Sequence, residues 1–260
     1  MTDPTATPQE EIRVGAPDPE GGAAALMARR REAHPDPYAP DYKTTLTRAP
    51  ALPLLSLEST PSEETGPRFG HSLIGRLDND LIRNYGSPEA LAVGERIRVH
   101  GRVLDETGRG VPHTLVEIWQ ANAGGRYRHP KDGYFAPLDP NFGGCGRTLT
   151  DGEGRYEFMT IRPGAYPWPN RANDWRPMHI HFSVFGHAFG QRLITQMYFQ
   201  GDPLIDLCPI AATVRDRSQL DLLVAPLDMQ NSRGMDYLAY KFDIVLRGRR
   251  RSMFEGQEGA

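Results

Sequence analysis

The sequence predicts an all-β fold: an antiparallel β-sandwich with long functional loops, one short helix and an extended N-terminal arm. Three observations carry this expectation. The chain has 27 Gly and 23 Pro among 260 residues, a composition that breaks long helices and favours short strands joined by turns. From Gly94 onwards, runs of alternating apolar and polar residues recur, the period of a half-buried strand. Turn sequences separate these runs, as in a sandwich or barrel.

Residues 1–65 read as an arm that contacts another subunit, and residues 66–260 as the β-sandwich domain. The arm is rich in Pro, Thr, Ala and Glu and poor in periodic apolar positions, although "APDYKTTLTRAPALPLLSLEST" suits an extended path over another surface. "RIRVHGRVLD", the turn "ETGRG" and "VPHTLVEIWQA" are expected to form a first hairpin. "RTLTD" and "RYEFMTI" around "GEG" are expected to form a second, and "MHIHFSVFG", "LITQMYF" and "YKFDIVLRG" supply further strands. A short helix is expected in "RDRSQLDLLVAPL", with Ser218 as N-cap. Two long segments interrupt the strands, "NAGGRYRHPKDGYFAPLDPNFGGCG" and "RPGAYPWPNRANDWRP"; irregular loops of that length in a small domain tend to carry function.

Charge and cysteine content narrow the function classes. A formal net charge of -3 supplies no global basic field for nucleic acid or anionic lipid. The basic run Arg247, Arg249, Arg250 and Arg251 is read as a solvated tail or subunit contact. With no signal-peptide pattern and no apolar run of spanning length, the cytoplasm is the expected location. Cys145 and Cys208 are the two cysteines, too few for a disulfide framework or a thiolate zinc site.

Within "NDWRPMHIHF", His179 and His181 lie two apart in a strand-like run, so both imidazoles leave the same face and can reach one ion. A bare His-x-His fits two ordinary core histidines equally well. Tyr127 in "GGRYRH" and Tyr166 in "GAYPW" stand in the two long loops beside Gly or Pro, where backbone shape is tightly set. A phenol is a poor ligand, with a pKa of roughly 10. Only a hard, highly charged ion offsets its deprotonation, which favours ferric iron over zinc or calcium. Each tyrosine alone also fits a packed aromatic ring.

The segments "LVEIWQANAGGRYRH", "YFAPLDPNFGGCGRTLTDGEGRY", "IRPGAYPWPNRANDWRPMHIHF" and "LITQMYFQGDPLI" resemble the intradiol ring-cleavage dioxygenase family over roughly Pro40 to Phe254. The resemblance implies a non-haem Fe(III) held by Tyr127, Tyr166, His179 and His181, with Tyr166 leaving the iron as substrate chelates and taking a substrate proton. It further implies that Arg176 aims its guanidinium at charge developing on the ring, that Gln196 hydrogen-bonds around this arginine, and that Trp168 and Ile210 line the pocket. Tyr42 is the implied donor to a substrate carboxylate. The implied reaction inserts both atoms of O2 into protocatechuate to give 3-carboxy-cis,cis-muconate, in a heteromer with a homologous α chain. His100, His113 and His129 fall outside these motifs and are read as structural. Two alternatives stay open: a catechol or hydroxyquinol 1,2-dioxygenase using the same iron, and a non-catalytic β-sandwich scaffold. Extradiol cleavage would require two His and a carboxylate, and no acidic residue stands at a matching position.

Overall fold

Alternating residues bury one face of Arg96–Asp105 (β1): Ile97, Val99 and Val103 are enclosed while Arg96, Arg98, His100 and Arg102 are not. This strand anchors the first sheet of a computed structural model that describes residues 38–49, 73–87, 89–105, 107–186 and 192–246. Arg155–Ile161 (β4) pairs antiparallel with β1, and Leu238–Lys241 (β10) and Ile244–Leu246 (β11) run parallel to successive stretches of it. The second sheet has the order β3-β2-β7-β8-β9. Its members are Leu115–Gln120 (β2), Cys145–Leu149 (β3), His179–Phe185 (β7), Arg192–Phe199 (β8) and Val224–Ala225 (β9). Between β4 and β7, Tyr166–Pro167 (β5) and Trp175–Arg176 (β6) form a separate two-stranded ladder.

The two sheets face each other across one core. Phe158 of β4 meets Phe182 of β7 with ring centroids 5.9 Å apart, and Phe182 meets Phe242 at 5.1 Å. Ile97, Val99 and Val103 of the first sheet belong to the same cluster as Ile118, Ile180, Val184 and Met197 of the second. Among the described residues the architecture is thus the expected β-sandwich. Pairing within the second sheet is antiparallel except at β8–β9, whereas β10 and β11 add parallel partners to β1.

Neither expected hairpin forms. β1 and β2 belong to different sheets, as do β3 and β4. At the first corner the chain closes a turn with a single bridge, Leu104 to Gly110, then crosses to the other sheet. At the second, Gly154 N–H donates to Asp151 O at 3.1 Å before β4 departs. The alternating pattern identifies strands with one buried face, but both inner faces of a sandwich satisfy it. The corners pack on each other: a Cβ at Gly110 would lie 2.0 Å from Glu153 O, and Gly154, at φ +76°, lies against Val103 O and Gly110 Cα.

The helix over Arg217–Asp221 (α2) is as short as expected, but its N-cap is Asp216 and not Ser218. Asp216 Oδ1 accepts from Ser218 N at 2.9 Å and from Ser218 Oγ at 2.8 Å, so the carboxylate takes one free helix-end N–H and the serine hydroxyl beside it. In the arm, Thr45–Arg48 forms a single helical turn (α1). The expected arm–domain boundary near residue 65, the "LPLLSL" run and Arg247 to Arg251 lie outside the described residues. No helix among the described residues is long and apolar enough to cross a membrane.

The contact between the two corners makes a stability prediction. Gly110→Val should lower the unfolding free energy by about 2–3 kcal/mol, because a branched side chain meets fixed backbone. Gly152→Ala, which meets nothing within 4 Å, should change it by less than about 1 kcal/mol. Urea unfolding of the two variants beside the parent checks this; equal small losses would exclude a critical close approach at Gly110.

Candidate metal centre

Register across the second sheet sets out a row of side chains on the face turned away from the core. His181 pairs with Trp119 of β2 on one side and Gln196 of β8 on the other, and His179 pairs with Tyr198. Directly opposed residues share a face, so Trp119, His179, His181, Gln196 and Tyr198 stand together. Their strand neighbours Ile118, Ile180, Phe182, Met197 and Phe199 enter the core. Trp119 stacks flat on His181, with centroids 4.8 Å apart and planes 2° from parallel.

The two long loops roof this face and bring the tyrosines down to it. Asn122 organises the first: its Oδ1 accepts from Gly124 N and Arg126 N, and its Nδ2 donates to Pro137 O. Its backbone oxygen accepts from Gly125 N and, in the second loop, from Gly164 N at 2.9 Å. The loops meet backbone to backbone there. A Cβ on Gly125, at φ +83°, would lie 2.2 Å from Ala165 O, and one on Gly164 would lie 2.4 Å from Ala123 O. Beyond this contact Asp132 Oδ2 accepts from Tyr127 N at 2.8 Å, and Tyr166 is fixed by the β5–β6 ladder, in register with Arg176.

Four donor atoms converge as a result. His181 Nε2 lies 3.1 Å from Tyr127 Oη, and His179 Nε2 lies 3.4 Å from both Tyr127 Oη and Tyr166 Oη. The two 3.4 Å separations are long for hydrogen bonds. All three match the spacing of about 2.8–3.6 Å between ligands set about 2.0–2.1 Å from one ion at angles of 90–120°. His179 Nδ1 is 2.6 Å from Pro177 O; as the donor in that bond it leaves the Nε2 lone pair free. Among the described residues no group of three His, Cys, Asp or Glu side chains gathers to hold a metal, so a metal here depends on the phenols.

The protonation states suit a strong Lewis acid. Burial and the Arg176 charge hold His179 well below its ordinary value and hold His181 at about 4, so both imidazoles are neutral at pH 7. Burial raises both phenols; Tyr166 raises Tyr127 further, while the Arg176 charge opposes the rise on both. Two phenolates would neutralise two of the three charges of a ferric ion, and the donor set fits that ion.

Arg176 is 4% exposed. Its Nη2 donates to Gln196 Oε1 at 2.5 Å, its Nε is buried without a hydrogen-bond partner, and its Cζ lies 5.9 Å from the Trp168 ring. Tyr42 meets Trp168 edge-on at 5.3 Å, and Arg48 lies over the Tyr42 ring at 4.9 Å. Lys43 N–H donates to Asn170 Oδ1 and Asn170 Nδ2 to Asp41 O, which docks this part of the arm on the Tyr166 loop. Ile210 packs at the edge of a second cluster with Tyr198 and Cys208. Of the remaining histidines, His100 pairs with Asp228 at 3.0 Å and His129 accepts from Lys131 N, both away from the four donors.

The sequence reading missed Trp119, Asn122, Asp132 and Tyr198. Tyr198 was within reach, since it lies two residues beyond Gln196 and so shares its face. Trp119 required cross-strand register, and Asn122 and Asp132 act through loop backbone that no periodicity marks.

The family described as Dioxygenase matches residues 64–248, and the family described as Protocatechuate 3,4-dioxygenase beta subunit N terminal matches residues 27–60. The chain is 49% identical over 227 residues to the protocatechuate 3,4-dioxygenase beta chain of Burkholderia cepacia, covering 86% of this chain and 94% of that one. It is 28% identical over 211 residues to the protocatechuate 3,4-dioxygenase alpha chain of Pseudomonas putida, covering 78% and 98%. The crystal structure of 3-chlorocatechol 1,2-dioxygenase from Rhodococcus opacus superposes with a TM-score of 0.51 at 22% identity, covering 67% of this chain and 66% of that one, a likeness of fold. By sequence across nearly its whole relative, and by the fold that carries the four donors, the chain belongs to the intradiol ring-cleaving dioxygenase family.

Proposed function

We propose that the chain is the iron-bearing subunit of an enzyme that inserts both atoms of O2 into protocatechuate, giving 3-carboxy-cis,cis-muconate. The observation that carries this is the convergence of Tyr127, Tyr166, His179 and His181, with donor atoms 3.1–3.4 Å apart where they are in contact, which would hold a non-haem Fe(III). Ferric iron, when bound, supplies the Lewis acidity that lets a catechol give up its protons and draws electron density from the ring toward reaction with O2. Protocatechuate is favoured over catechol or hydroxyquinol by the 49% identity that runs through 94% of a protocatechuate 3,4-dioxygenase beta chain. Four converging donors, with the buried Arg176 guanidinium in register with Tyr166, also argue against a scaffold without catalysis.

The protein residues divide the remaining work. Tyr166 sits on a two-residue strand in a loop, where it can swing away more readily than a side chain on β7, and its phenolate would take a substrate hydroxyl proton on leaving. Tyr127 and the two imidazoles would keep hold of the ion; Pro177 and Trp119 hold the rings of His179 and His181 in orientation. Arg176, in register with Tyr166, places a fixed positive charge beside the reacting ring, where it favours negative charge as it develops. Trp168 and Ile210 wall the substrate pocket. Tyr42, packed on Trp168, is placed to donate to the substrate carboxylate, and a homologous α chain would complete that end of the pocket in an αβ heteromer; the 28% identity to an alpha chain over 98% of its length supports such a pairing.

Purification of the chain with an α-type partner tests the reading. The protein should carry about one iron per chain, show a high-spin ferric EPR signal and a red tyrosinate charge-transfer colour, and consume O2 with protocatechuate. A colourless preparation with stoichiometric zinc would overturn it.

Arg176→Ala should keep iron and colour and lose about two to three orders of magnitude in turnover, the scale of removing one preorganised charge donor. Steady-state O2 uptake measures this, and near-parental turnover would remove Arg176 from the reaction.

Iron affinity should fall as pH falls. Both phenols are raised in the metal-free site and so hold protons at neutral pH, whereas the two imidazoles hold none. Iron uptake therefore displaces protons from the tyrosines, and acid favours the metal-free form. In competition with nitrilotriacetate between pH 6 and 8, Tyr166→Phe should flatten the pH slope by about one proton per iron. An unchanged slope would mean that Tyr166 does not bind as phenolate.

A further inference from the structure

The geometry assigns Tyr198 as a positioning residue for Arg176, acting through the side-chain amide of Gln196; this rests on the role given to Arg176 above. Gln196 Oε1 accepts from Arg176 Nη2 at 2.5 Å and from Tyr198 Oη at 3.2 Å. A carbonyl oxygen has two lone pairs, and these donors occupy both. The amide is thereby set with its oxygen toward the guanidinium. Turned over, it would present an NH2 donor to two donors, an arrangement that costs both bonds in a site closed to water. Arg176 is 4% exposed and Tyr198 2%.

Arg176 has few other anchors. Its Nε has no hydrogen-bond partner, and the Trp168 ring is 5.9 Å away. The other polar groups near enough to influence it are the Tyr166 oxygen, the Tyr198 oxygen itself and the Cys208 thiol. Strand geometry delivers the Tyr198 hydroxyl to this point. Gln196 and Tyr198 are two apart on β8, and they face His181 and His179 across the β7–β8 ladder. The Tyr198 hydroxyl is committed to Gln196 Oε1, whereas the contacts among the four donor atoms run between Tyr127, Tyr166, His179 and His181. Without that hydroxyl Gln196 is free to turn, and a buried guanidinium loses its best-defined acceptor.

The test uses Tyr198→Phe in the iron-loaded chain purified with its α-type partner. Iron content and charge-transfer colour should be unchanged, KM for protocatechuate should stay within about twofold, and kcat should fall about tenfold, the scale of one buried hydrogen bond. In an Arg176→Ala background the same change should alter kcat by less than about twofold, since the residue it acts through is gone. A full, additive tenfold loss in that background, or no loss in the parent, would overturn the assignment. The crystal structure of the variant separates this from the reading of the reaction. A displaced Arg176 guanidinium or inverted Gln196 amide supports positioning even if the substrate proves to be another catechol, whereas an Arg176–Gln196 contact unchanged from 2.5 Å refutes it whatever the substrate.

Discussion

Along β7 successive side chains leave the sheet on opposite sides, so Ile180, Phe182 and Val184 enter the core while His179 and His181 stand on the outer face. That alternation lets one strand serve two purposes. The inner face is locked by the aromatic contacts of Phe182 with Phe158 and Phe242, and a strand held that firmly cannot slip by one residue without burying both imidazoles in hydrocarbon. Flanking strands inherit the same register and contribute Trp119 on one side and Gln196 and Tyr198 on the other. The rigid part of the site is therefore an outer face of the sandwich.

Such a face is open to water unless something covers it, and the two long loops are that cover. Their close approach at Gly125 and Gly164 leaves no room for side chains, and Asn122 ties both together through its backbone oxygen. The tyrosines follow from this contact, since each stands two residues beyond one of the touching glycines. The described part of the arm adds a third layer: Thr45 Oγ1 donates to Ala39 O and Tyr42 O to shape its turn, and Asn170 fastens it to the Tyr166 loop. Tyr42 and Trp168 thereby meet at the mouth of the site.

Electrostatics then give the site its character. A guanidinium is buried among neutral acceptors, with two phenols and two neutral imidazoles nearby. Burying a charge in this way opposes folding, and the arrangement suits a site where negative charge would arrive later, from phenols that would give up their protons on binding a metal and from a substrate dianion. The unsatisfied Nε of Arg176 belongs to the same picture, as a buried donor suited to an acceptor that comes with substrate.

Local pattern by itself determined the fold class and the two poles of the site. Alternation marked the strands, and the His179–x–His181 spacing put two imidazoles on one face, because strand geometry is set by nearest neighbours along the chain. Gly and Pro beside Tyr127 and Tyr166 marked these as held residues, and motif resemblance joined them with Arg176 and Gln196. Pairing was beyond reach: β1 with β2, and β3 with β4, read as hairpins and became crossings between sheets, since either inner face of a sandwich accepts the same alternation. Asp216 and not Ser218 caps the helix because the Asp216 carboxylate accepts from the backbone N–H of Ser218, which places Ser218 inside the first turn. Trp119, Asn122 and Asp132 emerged only with the tertiary structure, because what qualifies each is a partner across a strand or loop, and such partners are chosen by the packing of the whole sandwich; Tyr198 alone was legible locally, two residues beyond Gln196 on the same strand.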